Sequence, residues 1–131
     1  DLLMLKKFVL VTAVLIAFTS ANISSAEVYK AIDLLTVKQQ HEVSSLYNAT
    51  IKQWRNATYA NKLMTCAEYI TAANEMNMLK FRVSNKTELI HYSQELVSFI
   101  DAAIKGVIGI DDHNVTEFVT LGFALMEWLK N

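Results

Sequence analysis

The residues of this chain whose type and spacing suggest a chemistry are asparagines. The Asn-x-Ser/Thr acceptor pattern of N-linked glycosylation occurs at Asn22, Asn48, Asn56, Asn85 and Asn114. The Ser/Thr frequency would give about one such site by chance. The excess points to glycan attachment in a chain that enters the secretory pathway. Some of these residues also have a structural reading. Asn85 and Asn114 each stand three residues before a glutamate, Glu88 and Glu117, as in a capping box with Asn in place of Ser or Thr. Asn48 falls opposite the apolar stripe of its predicted helix, where a glycan could be accommodated.

Other reactive side chains do not converge. His41, His91 and His113 fall in three different predicted elements, and none has a partner at the i, i+4 spacing by which one helix face holds a metal. Asp111-Asp112-His113-Asn114 lacks the alternating oxygen ligands, the central glycine and the terminal glutamate of a calcium loop, so it reads as a connection ending in a helix cap. The neighbours Met64, Ala67 and Tyr69 provide no basic residue to lower the pKa of Cys66, and it lies at the edge of an apolar helix face. It reads as a buried thiol, with a bridge between two copies as the alternative. No catalytic residue, cofactor site or metal site follows from the sequence.

Asn74 and Asn77 stand out because a regular helix would carry both on its apolar side, where an unpaired amide is costly. Three explanations are open: a bend that turns them outward, pairing with neighbouring groups or a buried water, or a pocket for a ligand with a polar head. Met64, Met76, Met78 and Met126, with Trp54, Tyr59, Phe81, Phe118 and Trp128, could form either a plain core or an internal apolar site. Leu34 and Val37 make a small apolar spot on an otherwise polar face, a candidate partner contact.

The elements that must position these residues are helices. The chain of 131 residues contains no proline and three glycines, Gly106, Gly109 and Gly122. Without the usual turn residues, and with no stretch that reads as a linker or repeat, helix is expected almost throughout. Residues Phe8 to Phe18 form an unbroken apolar run, with Lys6 and Lys7 before it and small residues after it. These are the three parts of a removable signal peptide. The run is shorter than the ~20 residues a membrane-spanning helix needs. Ser24 and Ala26 fit cleavage before Glu27; Thr19 and Ala21 fit cleavage before Asn22. We take residues 1–26 as the signal peptide, with Met4 a plausible start and residues 1–3 upstream of it.

Removing residues 1–26 takes Lys6, Lys7 and Asp1 from 12 basic and 13 acidic residues, leaving a net charge of −2. That balance gives no electrostatic reason to bind nucleic acid, or a membrane beyond passage through it during secretion. Residues 27–131 then form one domain.

Helical periodicity groups Val28, Ile32, Leu35, Val43, Leu46, Tyr47 and Trp54 in a first helix of about 30 residues, with weak propensity at Thr36 to Gln40. Tyr59, Ala60, Leu63, Ala67, Ile70 and Phe81 share a face in a second helix, after a break at Asn56-Ala57-Thr58. Leu89, Leu96, Val97, Ile100, Ala103, Ile104 and Val107 mark a third helix. Val115, Phe118, Val119, Leu125, Met126 and Leu129 mark a fourth. Gly106 and Gly109 suit a helix C-terminus, and Gly122 suits a close helix–helix approach.

The expected fold is therefore all-α: an antiparallel up-down bundle of about four helices after a cleaved signal peptide. Two functional classes fit. One is a secreted, glycosylated protein, not an enzyme, that binds another extracellular macromolecule and could form a homodimer. The other is an extracellular carrier of a small apolar ligand, with Asn74 and Asn77 as the polar groups of its pocket.

Overall fold

In the computed structural model of the protein, the described residues are 46–131. The signal peptide, Asn22, Leu34, Val37 and His41 lie outside them. Four helices follow one another: α1 (Ile51–Arg55), α2 (Tyr59–Glu75), α3 (Lys86–Ile104) and α4 (Val115–Leu125). Among the described residues there is no strand. α3 packs against both α2 and α4.

The core takes in much of the stripes that the periodicity picks out, together with Tyr69 and Phe123, which lie outside them. Trp54, Tyr69, Ile70, Leu96, Ile100, Val119 and Phe123 are all completely buried. The two polar rims of this core are satisfied. The Trp54 indole N–H donates to Asp101 Oδ1 at 2.8 Å, and Lys62 Nζ reaches the same oxygen at 3.1 Å. The Tyr69 hydroxyl donates to the Tyr47 carbonyl and shares a hydrogen bond with the Thr116 hydroxyl. The Tyr69 ring stacks on that of Tyr47, with centroids 4.3 Å apart. Burial holds the Tyr69 phenol well above its ordinary pKa.

Where α3 meets α4, the backbones approach at Gly122. A Cβ there would sit 2.9 Å from both Leu96 Cδ1 and Phe99 Cδ1. Gly122 is thus used for close approach, as its position in the apolar stripe predicts.

The expected helix ends need correction. The first helix does not run unbroken to Asn56. The chain turns at Tyr47-Asn48, and a new helix starts at Ile51. The cause is a capping box: Thr50 Oγ1 accepts from the Gln53 amide, and Gln53 Oε1 accepts from the Thr50 amide. The second helix stops at Glu75 rather than continuing toward Phe81, and the fourth stops at Leu125 short of Leu129. Both stop in the same way. Asn77 (φ 57°) and Glu127 (φ 59°) are left-handed. The Met78 amide then donates to the Ala73 carbonyl, and the Trp128 amide to the Phe123 carbonyl. These are two Schellman closures.

The two ends also share sequence: Met76-Asn77-Met78-Leu79-Lys80 beside Met126-Glu127-Trp128-Leu129-Lys130. The chain therefore contains a short repeat that its helical stripes conceal. The two copies pair reciprocally, the Lys80 amide donating to the Trp128 carbonyl and the Lys130 amide to the Met78 carbonyl, about the antiparallel bridge of Leu79 with Leu129. A second antiparallel bridge, Thr50 with Asn114, joins the start of α1 to the start of α4.

Candidate functional site

Asn48, Asn56 and Asn85 are exposed. Asn85 caps α3, its Oδ1 accepting from the Glu88 amide at 2.9 Å, as the spacing predicts. The glutamate differs from the expected box: its carboxylate accepts from the Ser84 amide and from Asn85 Nδ2. Asn56 closes α1 through Nδ2 donating to the Lys52 carbonyl.

Asn114 differs from the other three. It is half-buried and caps α4 by accepting from the Thr116 amide, two residues on rather than three, while its Nδ2 points at the Asn48 carbonyl. Glu117 pairs with His113 at 2.9 Å instead of closing a box. The hydroxyl residue of this acceptor pattern, Thr116, is itself buried against Tyr69.

Asn74 and Asn77 each have a structural partner. Asn74 clamps the backbone of Val83, accepting from its amide at 3.0 Å and donating to its carbonyl at 3.2 Å, which folds the α2–α3 connection back onto the helix. Asn77 is exposed, occupies the left-handed position that ends α2, and accepts from Lys130 Nζ. Of the three explanations, the first two describe them: the helix ends and turns Asn77 outward, and Asn74 pairs with neighbouring backbone.

Cys66 is a free thiol with no exposed surface. Burial pushes its pKa up, so it is neither a ready nucleophile nor positioned to bridge two copies. His91 and His113 lie at the surface, each beside a glutamate one turn on.

The arrangement that sequence reading missed lies between α3 and α4. Lys105 leaves α3 in an extended conformation, and Gly106 and Gly109 both take positive φ, 73° and 86°. A side chain at either position would be strained. Between them Val107 and Ile108 point outward, 40% and 95% exposed. Residues of α1 hold this loop: the Ile51 and Lys52 amides donate to the His113 and Asp111 carbonyls, and the Arg55 side chain reaches its base. Arg55 Nη2 donates to the carbonyls of Ile104 and Val107, and Nη1 pairs with Asp111 Oδ1. Asp111 thus belongs to a loop clamp, as the connection reading of its cluster allows. The signal available in sequence was the spacing of two glycines around two aliphatics. The periodic reading instead took Val107 as the end of the α3 stripe.

Three other residues assigned to apolar stripes also lie outside, one of them Ala103 of α3. Tyr59 is 52% exposed and Leu125 is 62% exposed. Tyr59 is the first residue of α2, just after its Thr58 cap, and Leu125 is the last of α4. Each sits where its helix reaches the end of the packed layer. Leu121, one turn before Leu125, is also exposed, so α4 carries apolar residues on its outer side as well as its inner one.

Comparison with protein-family models, with curated proteins and with solved structures finds no match. The functional reading therefore rests on the residues of this chain.

Proposed function

We propose that this is a secreted, N-glycosylated helical protein that acts by binding another extracellular macromolecule through its surface. The observation that carries the reading is how the apolar side chains divide. Trp54, Met64 and Phe123, which a carrier could use to line an interior, are packed in the core. Ile108, Leu121 and Leu125 are turned to solvent. Exposed apolar groups held on a fixed frame are what a partner can bury.

The carrier alternative loses the two polar groups that favoured it, because Asn74 and Asn77 are engaged in ending α2 and fastening the loop after it. The exposure of Asn48, Asn56 and Asn85 supports glycan attachment at those three positions, with Asn114 the least accessible of the four acceptors. The proposed topology is an antiparallel up-down bundle. The bridge of Leu79 with Leu129 holds the ends of α2 and α4 together, and that of Thr50 with Asn114 holds the start of α4 near α1. The first of these supports α3 running opposite to α2 and α4.

Native mass spectrometry of secreted, deglycosylated protein tests the choice between the two classes. The binding-protein reading expects a mass equal to the chain alone. A co-purifying lipid-sized mass would favour the carrier.

A further inference from the structure

We propose, resting on the glycoprotein reading above, that glycosylation at Asn114 and folding exclude one another. A glycan at Asn114 then marks a chain caught before α4 docks, while Asn48, Asn56 and Asn85 stay open in the folded protein.

Transfer joins the asparagine Nδ2 to the anomeric carbon of an oligosaccharide carried on a lipid pyrophosphate. The N–C bond forms, the bond from that carbon to the pyrophosphate oxygen breaks with its electron pair leaving on the oxygen, and one amide proton is lost. The transferase must reach both the amide and the hydroxyl two residues on, which the acceptor pattern requires. Asn56 with Thr58 and Asn85 with Thr87 offer both at the surface. Asn48 is exposed, and its Thr50 is half-buried.

Asn114-Val115-Thr116 is the opposite case. Val115 is completely buried and Thr116 is 4% exposed. The Thr116 hydroxyl shares a hydrogen bond with the Tyr69 hydroxyl and lies 3.4 Å from the Tyr47 carbonyl. Asn114 Oδ1 accepts from the Thr116 amide at 2.8 Å, and Nδ2, the atom to be modified, donates to the Asn48 carbonyl at 3.4 Å. The backbone is fixed on both sides of the asparagine. The Ile51 amide donates to the His113 carbonyl at 2.8 Å, and the Val115 amide to the Ala49 carbonyl at 2.9 Å. Both groups that transfer needs are thus engaged by the fold.

Chain order sets how long the site stays open. Tyr47, Asn48 and Tyr69 all precede Asn114, so the lock waits only for α4. The 11 residues of α4 take about 0.5–2 s to add at roughly 5–20 residues per second. A small helical domain then closes within about milliseconds. Transfer to Asn114 therefore races against folding, and slower folding lengthens its window.

The test is site-by-site occupancy in the full chain made in a eukaryotic host, taken from cells and medium together. Glycosidase release in heavy-oxygen water, followed by peptide mass spectrometry, marks each asparagine that carried a glycan. Wild type is compared with Tyr69→Ala, which removes the partner of the Thr116 hydroxyl, and with Phe123→Ala, which empties the core two turns further along α4. Both leave all four acceptor patterns intact and lower stability. Wild type should carry several-fold less glycan at Asn114 than at Asn48, Asn56 or Asn85. Both variants should raise Asn114 several-fold and leave the other three unchanged. A variant that fails to fold should show the largest rise, because the lock never closes. If wild-type Asn114 is filled as fully as the other three, the proposal is overturned and the glycoprotein reading stands. An Asn114 equally low in wild type and both variants also overturns it, because local sequence and not the fold would then close the site. Glycan on none of the four would overturn the glycoprotein reading and the proposal with it.

Discussion

The Arg55 guanidinium donates to the main-chain carbonyl of Val107 at 2.8 Å, across the gap between α1 and the connection from α3 to α4. The helix that carries Arg55 has five residues, too short to be stable by itself. It is held by the Thr50–Gln53 box, by the burial of Trp54 and by the bridge of Thr50 with Asn114. Local capping therefore fixes a side chain that orders a loop distant in sequence.

Arg55→Ala removes three acceptor contacts at a partly exposed site. The expected loss of stability is ~1–2 kcal/mol, as for hydrogen bonds to a charged group with partial solvent access. The sharper readout is local: limited trypsin digestion should cut after Lys105 much faster in the variant than in wild type. Equal cleavage rates would mean the loop is ordered without Arg55.

The acceptor asparagines should separate by role when the unglycosylated protein is melted. Asn85→Ala and Asn114→Ala each remove a helix cap and should cost ~1 kcal/mol. Asn48→Gln, at an exposed turn, should change stability little. If all three variants melted alike, the caps would not contribute as their geometry indicates.

Glu127 pays for its left-handed backbone without glycine's freedom. Glu127→Gly should stabilise the protein by up to ~1 kcal/mol, a rise of several degrees in melting temperature for a domain of this size. Gly122 works in the opposite sense. Gly122→Leu would press on Leu96 and Phe99 and should cost ~1–3 kcal/mol by overpacking. Denaturant unfolding of the two variants checks both signs.

Burial raises the pKa of both Cys66 and Tyr69 in the folded state. A group raised on folding stabilises fully below its unfolded pKa, and that stability is lost as pH climbs toward the folded value. Stability should therefore be unaffected by these two groups near neutrality and should fall above about pH 8.5, where an unfolded cysteine ionises, and further above about pH 10, where an unfolded tyrosine does. Cys66→Ala should flatten the first part of that fall. Thiol reagents should label Cys66 only at the rate of unfolding. Rapid labelling of native protein would contradict its burial.

The helical class and part of the core were legible in the sequence, because period-3.6 stripes such as Leu89, Leu96, Val97 and Ile100 reflect burial, whereas the buried Tyr69 and Phe123 fell outside the stripes. The caps at Asn85 and Asn114 were legible for the same reason: a local hydrogen bond leaves a local signature. Helix ends at Asn77 and Glu127 were not. Both are closed by left-handed residues other than glycine, and their reciprocal pairing depends on segments far apart in the chain. The Thr50–Gln53 box was readable but was masked by the apolar stripe running through Leu46, Tyr47 and Trp54. The loop clamp was hidden because nothing in the spacing of Arg55 and Val107 indicates that they meet.

The most direct test is the intact mass of protein recovered from the medium of a eukaryotic host, before and after glycosidase treatment. A chain beginning at Glu27 and carrying glycans on Asn48, Asn56 or Asn85 is the expected result. A product retained in the cell, still bearing residues 4–26 and no glycan, would contradict the proposed secretion and the extracellular binding role built on it.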